Sequence, residues 1–241
     1  NLNSGKYFGI GNSLDEYHGE LNFYQDGGII INANGMKGIG IGSGLGGVIN
    51  IKRGHYEFDM KGQEGACIGS VNGDSELFIE YCDMDIYSGI SNGTIIGSVN
   101  GDADIKLENI SAKIQGAGNV ITGIGTIAGN SCMVRLENVN ISSNIRAKEC
   151  YGIGCRAGRT DIYIGYAAVK SVVQGKSAVA FGNSVMSAKL YCSNADVGTN
   201  AVTEFNSDIG ALEKNIQLEN GRAEFILNGQ EVKRQILAAR L

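Results

Sequence analysis

The amino-acid sequence predicts an all-β fold, a right-handed parallel β-helix (β-solenoid) of about seven coils of ~28 residues each. Three observations carry this. The phrase IGSVNGD occurs twice, at 68–74 and again at 96–102. A glycine recurs at Gly11, Gly42, Gly69, Gly97, Gly125, Gly154 and Gly182, in steps of 31, 27, 28, 28, 29 and 28. The composition holds 37 glycines and no proline or tryptophan, which suits many tight turns needing positive φ and neither a Gly-X-Y collagen nor a low-complexity linker.

Each coil divides into three short strands. Before the recurrent glycine stand Ile10, Ile41, Ile68, Ile96, Ile124, Ile153 and Phe181; after it stand the small residues Asn12, Ser43, Ser70, Ser98, Thr126, Cys155 and Asn183. Seven to eleven residues after the glycine comes an alternating apolar pair, Ile49/Ile51, Leu77/Ile79, Ile105/Leu107, Val134/Leu136, Ile162/Ile164 and Leu190/Cys192. A third pair follows, as Tyr56/Phe58, Met84/Ile86, Ala112/Ile114, Val139/Ile141 and Ala195/Val197. Period two belongs to strands with one buried face, and Gly, Asn and Asp punctuate the corners between them. One coil cannot bury its apolar face alone, but stacked coils share a core. A β-sandwich gives its strands no reason to repeat every 28 residues. The right hand follows from the general preference of parallel connections.

The tail is expected to differ, so the chain divides into a solenoid over 1–200 and a C-terminal cap over 201–241. Within the cap, 216–219 and 223–227 flank Asn220-Gly221, a type I′ hairpin signal, and Gln230 to Leu241 carries Val232, Ile236 and Leu237 at helical spacing. A hairpin plus a short helix would hide the last coil's core. A linker or dimerisation helix is the alternative.

Net charge is −5 and the 20 basic residues are scattered, so nucleic acid is not the expected partner. No run of 18 apolar residues is present, so no membrane span is expected. The chain shows no signal peptide and does not begin with methionine, which reads as a fragment or mature form of a longer protein.

The stretches Gly38-Ile39-Gly40-Ile41-Gly42-Ser43-Gly44, Ile68-Gly69-Ser70 and Ile96-Gly97-Ser98, with weaker matches as far as Gly182, resemble the glycine-rich β-helix repeats of bacterial surface proteins over roughly residues 7–200. The resemblance implies a right-handed parallel β-helix, set beside other modules in adhesins or carbohydrate-binding proteins. It implies an extracellular or cell-surface location and supplies no catalytic set.

The outward position between the two core residues of the middle strand reads Asn50, Phe78, Lys106, Arg135, Tyr163 and Tyr191. Outward strand positions are ordinarily small and polar, so aromatic rings beside two cations mark Phe78, Lys106, Arg135, Tyr163 and Tyr191 as a candidate binding stripe. Rings can stack on sugars, and the cations can pair with uronic or sialic carboxylates. The competing account is that the aromatics favour strands, stack on each other, or lie beneath a partner.

The stacked Asp74, Asp102 and Asn130 offer oxygen ligands that could hold calcium, with Arg159 one coil on as the base of an acidic-polysaccharide lyase. Against this, Asn-Gly-Asp is turn chemistry, in which Asp accepts from local backbone N–H groups. A second acidic ladder is Glu80, Glu108 and Glu137. A hydrolase of the polygalacturonase type would need paired aspartates and a Gly-His-Gly segment; His18 and His55 lie in Tyr17-His18-Gly19 and Gly54-His55-Tyr56. Cys67, Cys82, Cys132, Cys150, Cys155 and Cys192 follow no CxxC pattern and read as packing thiols, which favour a reducing compartment and pull against a surface location. The expected function is therefore a non-catalytic module binding carbohydrate or a protein partner on a flat face. The alternatives are a calcium-dependent lyase, or a spacer or homo-oligomerisation scaffold.

Overall fold

The computed structural model describes residues 2–12, 19–204 and 216–237, apart from the side chains of 3, 4 and 231–237. Thirteen strands form one sheet and no helix occurs among the described residues: β1 Leu2–Gly11, β2 Gly19–Tyr24, β3 Gly28–Ser43, β4 Gly47–Asn72, β5 Ser75–Asn100, β6 Ala103–Glu108, β7 Ser111–Glu137, β8 Asn140–Gly165, β9 Ala168–Gly175, β10 Ser177–Gly182, β11 Ala188–Thr203, β12 Ile216–Leu227 and β13 Gln230–Leu237. Every pairing is parallel except the last, β12 with β13. The architecture is a β-solenoid of about seven turns, ~28 residues apart.

All seven recurrent glycines fall in register: Gly11 pairs with Gly42, and the ladder runs on through Gly69, Gly97, Gly125, Gly154 and Gly182. Two facts enforce glycine at Gly97 and Gly125. Their φ values are +135° and +139°, a region L side chains rarely enter, and a β-carbon on either would overlap the carbonyl oxygen of the glycine one rung further on. Beside this ladder, Ile41, Ile68, Ile96, Ile124, Ile153 and Phe181 are fully buried, as are the alternating pairs of the middle strand from Ile49 to Leu190. The small polar ladder faces inward too. Ser70 and Ser98 both donate to the Gly73 carbonyl, at 2.6 and 2.7 Å, and Thr126 donates to that of Gly101, so corner carbonyls inside the stack are satisfied.

A second corner ladder turns the chain out of the middle strand. Arg53, Tyr81, Asn109, Asn138, Tyr166, Asn194 and Asn220 all hold φ between 47° and 63°. This corner corrects the third apolar pair. Because Asn109 and Asn138 occupy the same corner, Ala112 stacks on Ile141 and Ile114 on Ser143, so the pairing with Val139/Ile141 is displaced by two residues. The inner position occupied by Ile86 and Ile114 passes to Ser143, Ser171 and Thr199 in the following rungs, all buried.

The tail also departs from expectation. β12 does not break the stack: Leu190 pairs with Ile216 and Ala201 with Leu227, a parallel rung in a step of 26. Asn220-Gly221 is a solenoid corner, with Gly221 beside Ala195, and no hairpin forms across it. The hairpin turns at the next Asn-Gly, Asn228-Gly229, where both residues have positive φ, 48° and 80°. In place of the expected helix, 230–237 form β13, antiparallel to β12; 238–241 lie outside the described residues. Strand pairing to an open edge prevails there over helical spacing.

Candidate functional site

The outward stripe is a continuous ladder. Successive rungs place Asn22, Asn50, Phe78, Lys106, Arg135, Tyr163, Tyr191 and Gln217 side by side. Asn22 and Asn50 join through an amide hydrogen bond of 2.8 Å, Phe78 is half-buried, and from Lys106 onward the ladder lines a shallow groove of about 830 Å3. The rings of Tyr163 and Tyr191 stack at 5.1 Å between centroids with an interplanar angle of 3°. Their faces are therefore turned to each other and along the solenoid axis, towards Arg135 on one side and Gln217 on the other. Solvent meets ring edges.

Both cations of the stripe are already answered. Arg135 Nη1 lies 2.6 Å from Asp104 Oδ1, and its other terminal nitrogen touches Met133 Sδ. Lys106 Nζ lies 2.6 Å from Glu108 Oε2, and that carboxylate holds the ammonium pKa above its ordinary value. Five charged side chains line the groove, Lys106, Arg135, Glu108, Glu137 and Glu219, giving two positive and three negative. The Glu137 carboxylate rests over Gly165, in the space a side chain there would take.

The acidic ladder continues this edge: Tyr24, Lys52, Glu80, Glu108, Glu137, Gly165, Ser193 and Glu219 succeed one another at the last position of the middle strand. Lys52 answers Glu80 at 3.2 Å. The other acidic set, Asp74, Asp102 and Asn130, is placed differently. Asp74 Oδ1 accepts the Asp102 N–H at 2.8 Å, and Asp102 Oδ1 accepts the N–H groups of Asn130 and Ser131 at 2.6 and 3.0 Å. Calcium takes six to eight oxygens. Here the Oδ1 atoms of Asp74 and Asp102 are drawn to the next rung's amides, so both aspartates serve the backbone of the turn. Arg159 sits one rung beyond but turns its Nε and Nη2 to Asp161, at 2.9 and 2.8 Å. Among the described residues, no group of three or more His, Cys, Asp or Glu converges as a metal site. His55 pairs with Glu57 at 3.0 Å, and His18 lies outside the described residues.

All six cysteines are free and buried. Burial raises the thiols of Cys67, Cys82 and Cys192 to about 12 and those of Cys150 and Cys155 to about 11.

Reading the sequence missed several members of this edge. Gln217 and Glu219 are concealed because their rung follows a step of 26 residues and the expected period stops near Gly198. Tyr24, Tyr81 and Tyr166 stand 64%, 59% and 65% exposed beside the same corner. The signal was present: Asn recurs at 109, 138, 194 and 220, which marks a left-handed corner and makes Arg53, Tyr81 and Tyr166 its exceptions. No protein-family model, characterised protein or solved structure matches the chain.

Proposed function

We propose that the protein is a non-catalytic binding module that holds carbohydrate in the groove over Lys106, Arg135, Tyr163 and Tyr191. The observation that carries this reading is the stacked pair of exposed Tyr163 and half-buried Tyr191 in a groove whose cations are all internally paired. Ring edges with phenolic hydroxyls, set among carboxylates and the Gln217 amide, match a ligand that alternates C–H surface with hydroxyl groups. Because Asp104 and Glu108 neutralise Arg135 and Lys106, the groove offers no unanswered positive charge to a uronic or sialic acid. That favours a neutral sugar. Engagement of the backbone by Asp74 and Asp102, and of Asp161 by Arg159, supports binding over lyase chemistry.

Isothermal titration with neutral and acidic oligosaccharides tests the reading. Wild-type protein should bind a neutral member, and Tyr163→Ala or Tyr191→Ala should weaken it about tenfold or more with the stack still folded. Equal affinity of both variants and wild type would remove the groove from the function. Retention of a protein partner by wild type with no sugar binding would reassign the face to protein recognition.

A further inference from the structure

The corner after the middle strand holds an unexplained choice of residue. Its seven positive-φ positions carry Asn four times, the residue whose short amide tolerates that conformation, yet Tyr81 at φ 57° and Tyr166 at φ 47° carry a bulky ring there. Neither ring is drawn in by packing, since both are more than half exposed. A strained backbone retained for a side chain that the core does not use points to a task outside the fold.

Position supplies the task. Tyr81 lines a second groove of about 840 Å3 with Tyr24, Lys52, Arg53 and Glu80. Tyr24 is 64% exposed and has the Lys52 ammonium over its ring at 5.8 Å. This groove ends at Glu80, and the Tyr163/Tyr191 groove begins at Glu108, the next rung of the same ladder. The cations follow one rule in both: Lys52 pairs with Glu80 at 3.2 Å and Arg53 with Asp26 at 3.5 Å, as Lys106 and Arg135 pair below. Tyr166 stands on the corner flanking the lower groove, one residue after its lining residue Gly165.

We infer that Tyr24, Tyr81 and Tyr166 extend the Tyr163/Tyr191 groove into one track along the solenoid edge, whose occupant is a single neutral polysaccharide chain lying parallel to the axis. The inference rests on the carbohydrate reading above. The edge ladder from Tyr24 to Glu219 spans seven steps, about 34 Å, so the occupant is a polymer longer than either groove can hold alone. Internal pairing of each cation leaves the track no free positive charge, and Glu137 and Glu219 leave it an excess of carboxylate, which turns away an acidic polymer; exposed tyrosines recur along it at Tyr24, Tyr81, Tyr163 and Tyr166.

The test is titration calorimetry with neutral β-glucan, xylan and mannan oligosaccharides, each from disaccharide to dodecasaccharide, on wild type, Tyr81→Asn and Tyr24→Ser. Affinity of wild type should climb with chain length as both grooves fill. Tyr81→Asn should lower affinity for the dodecasaccharide about tenfold, with the deficit shrinking as the chain is shortened. The same variant should melt about 3 °C higher, because Asn relieves the corner, so a folding defect cannot imitate the loss. Length-independent affinity, or a dodecasaccharide bound equally by wild type and both variants, overturns the extended track while leaving the lower groove intact. Absence of binding by wild type to every oligosaccharide overturns both readings.

Discussion

The backbone N–H of Asn130 donates to Asp102 Oδ1 at 2.6 Å, across one rung of the stack, and the N–H of Ser131 reaches the same oxygen at 3.0 Å. These amides flank the one irregularity in the register of β7 against β8, between Ala128 and Ser131. A carboxylate that accepts two N–H groups at a bulge holds the extra residue in place, which accounts for the aspartate without a metal.

Asp102→Ala should therefore destabilise the fold by about 1–3 kcal/mol, and Asp102→Asn by less, since its amide oxygen still accepts. Urea denaturation measures both. Chelator treatment of wild type should leave the melting temperature unchanged; a drop reversed by calcium would restore the metal reading of Asp74, Asp102 and Asn130.

Gly125→Ala should cost about 3–5 kcal/mol, because the new methyl meets the Gly154 carbonyl and the residue keeps φ at +139°. Gly198→Ala is the control. Nothing lies within 4 Å of a β-carbon there, and the strand should gain about 0.5 kcal/mol or remain level. Equal losses at the two sites would contradict the glycine ladder as a steric requirement.

The buried thiols set the alkaline limit. Each folded pKa lies above the ordinary 9.0, so the folded state retains protons that the unfolded chain releases. Their contribution is complete below pH 9 and is lost as pH rises through about 11 and 12, together with that of Tyr56, also raised to about 12. Circular dichroism should record cooperative unfolding in that window, and Cys67→Val should move the midpoint to higher pH. At pH 8 a thiol reagent should label native protein only as fast as it opens, and all six cysteines once it is denatured.

Removing the acids beside the stripe should change its ligand. Asp104→Asn with Glu108→Gln frees Arg135 and Lys106, and the double variant should gain affinity for polygalacturonate about tenfold at low ionic strength, declining with added salt. An unchanged preference would mean that the ion pairs do not govern which sugars the groove accepts.

The sequence made the stack legible because stacking leaves a residue-level trace: Gly69 and Gly97 must be glycine, and Ile68 and Ile96 must be apolar, at every turn. The stripe from Phe78 to Tyr191 was legible for the same reason. What it withheld depends on neighbours a rung apart. The pairing of Arg135 with Asp104 crosses 31 residues, and the mutual stacking of Tyr163 and Tyr191 depends on ring orientation. The tail misled because Asn220-Gly221 and Asn228-Gly229 are the same dipeptide in two roles, and only pairing to Ala195 distinguishes the corner from the hairpin.

The constant step between rungs has a kinetic consequence. Gly69 meets Gly97 and Gly97 meets Gly125, so forming each new rung closes a loop of the same modest length wherever growth begins. Folding should then resemble a zipper that starts at any adjacent pair of coils and spreads both ways. The 31-residue step at β1 and the 26-residue step at β12 are the irregular teeth, and hydrogen exchange should rise from the Gly97–Gly154 centre towards both ends.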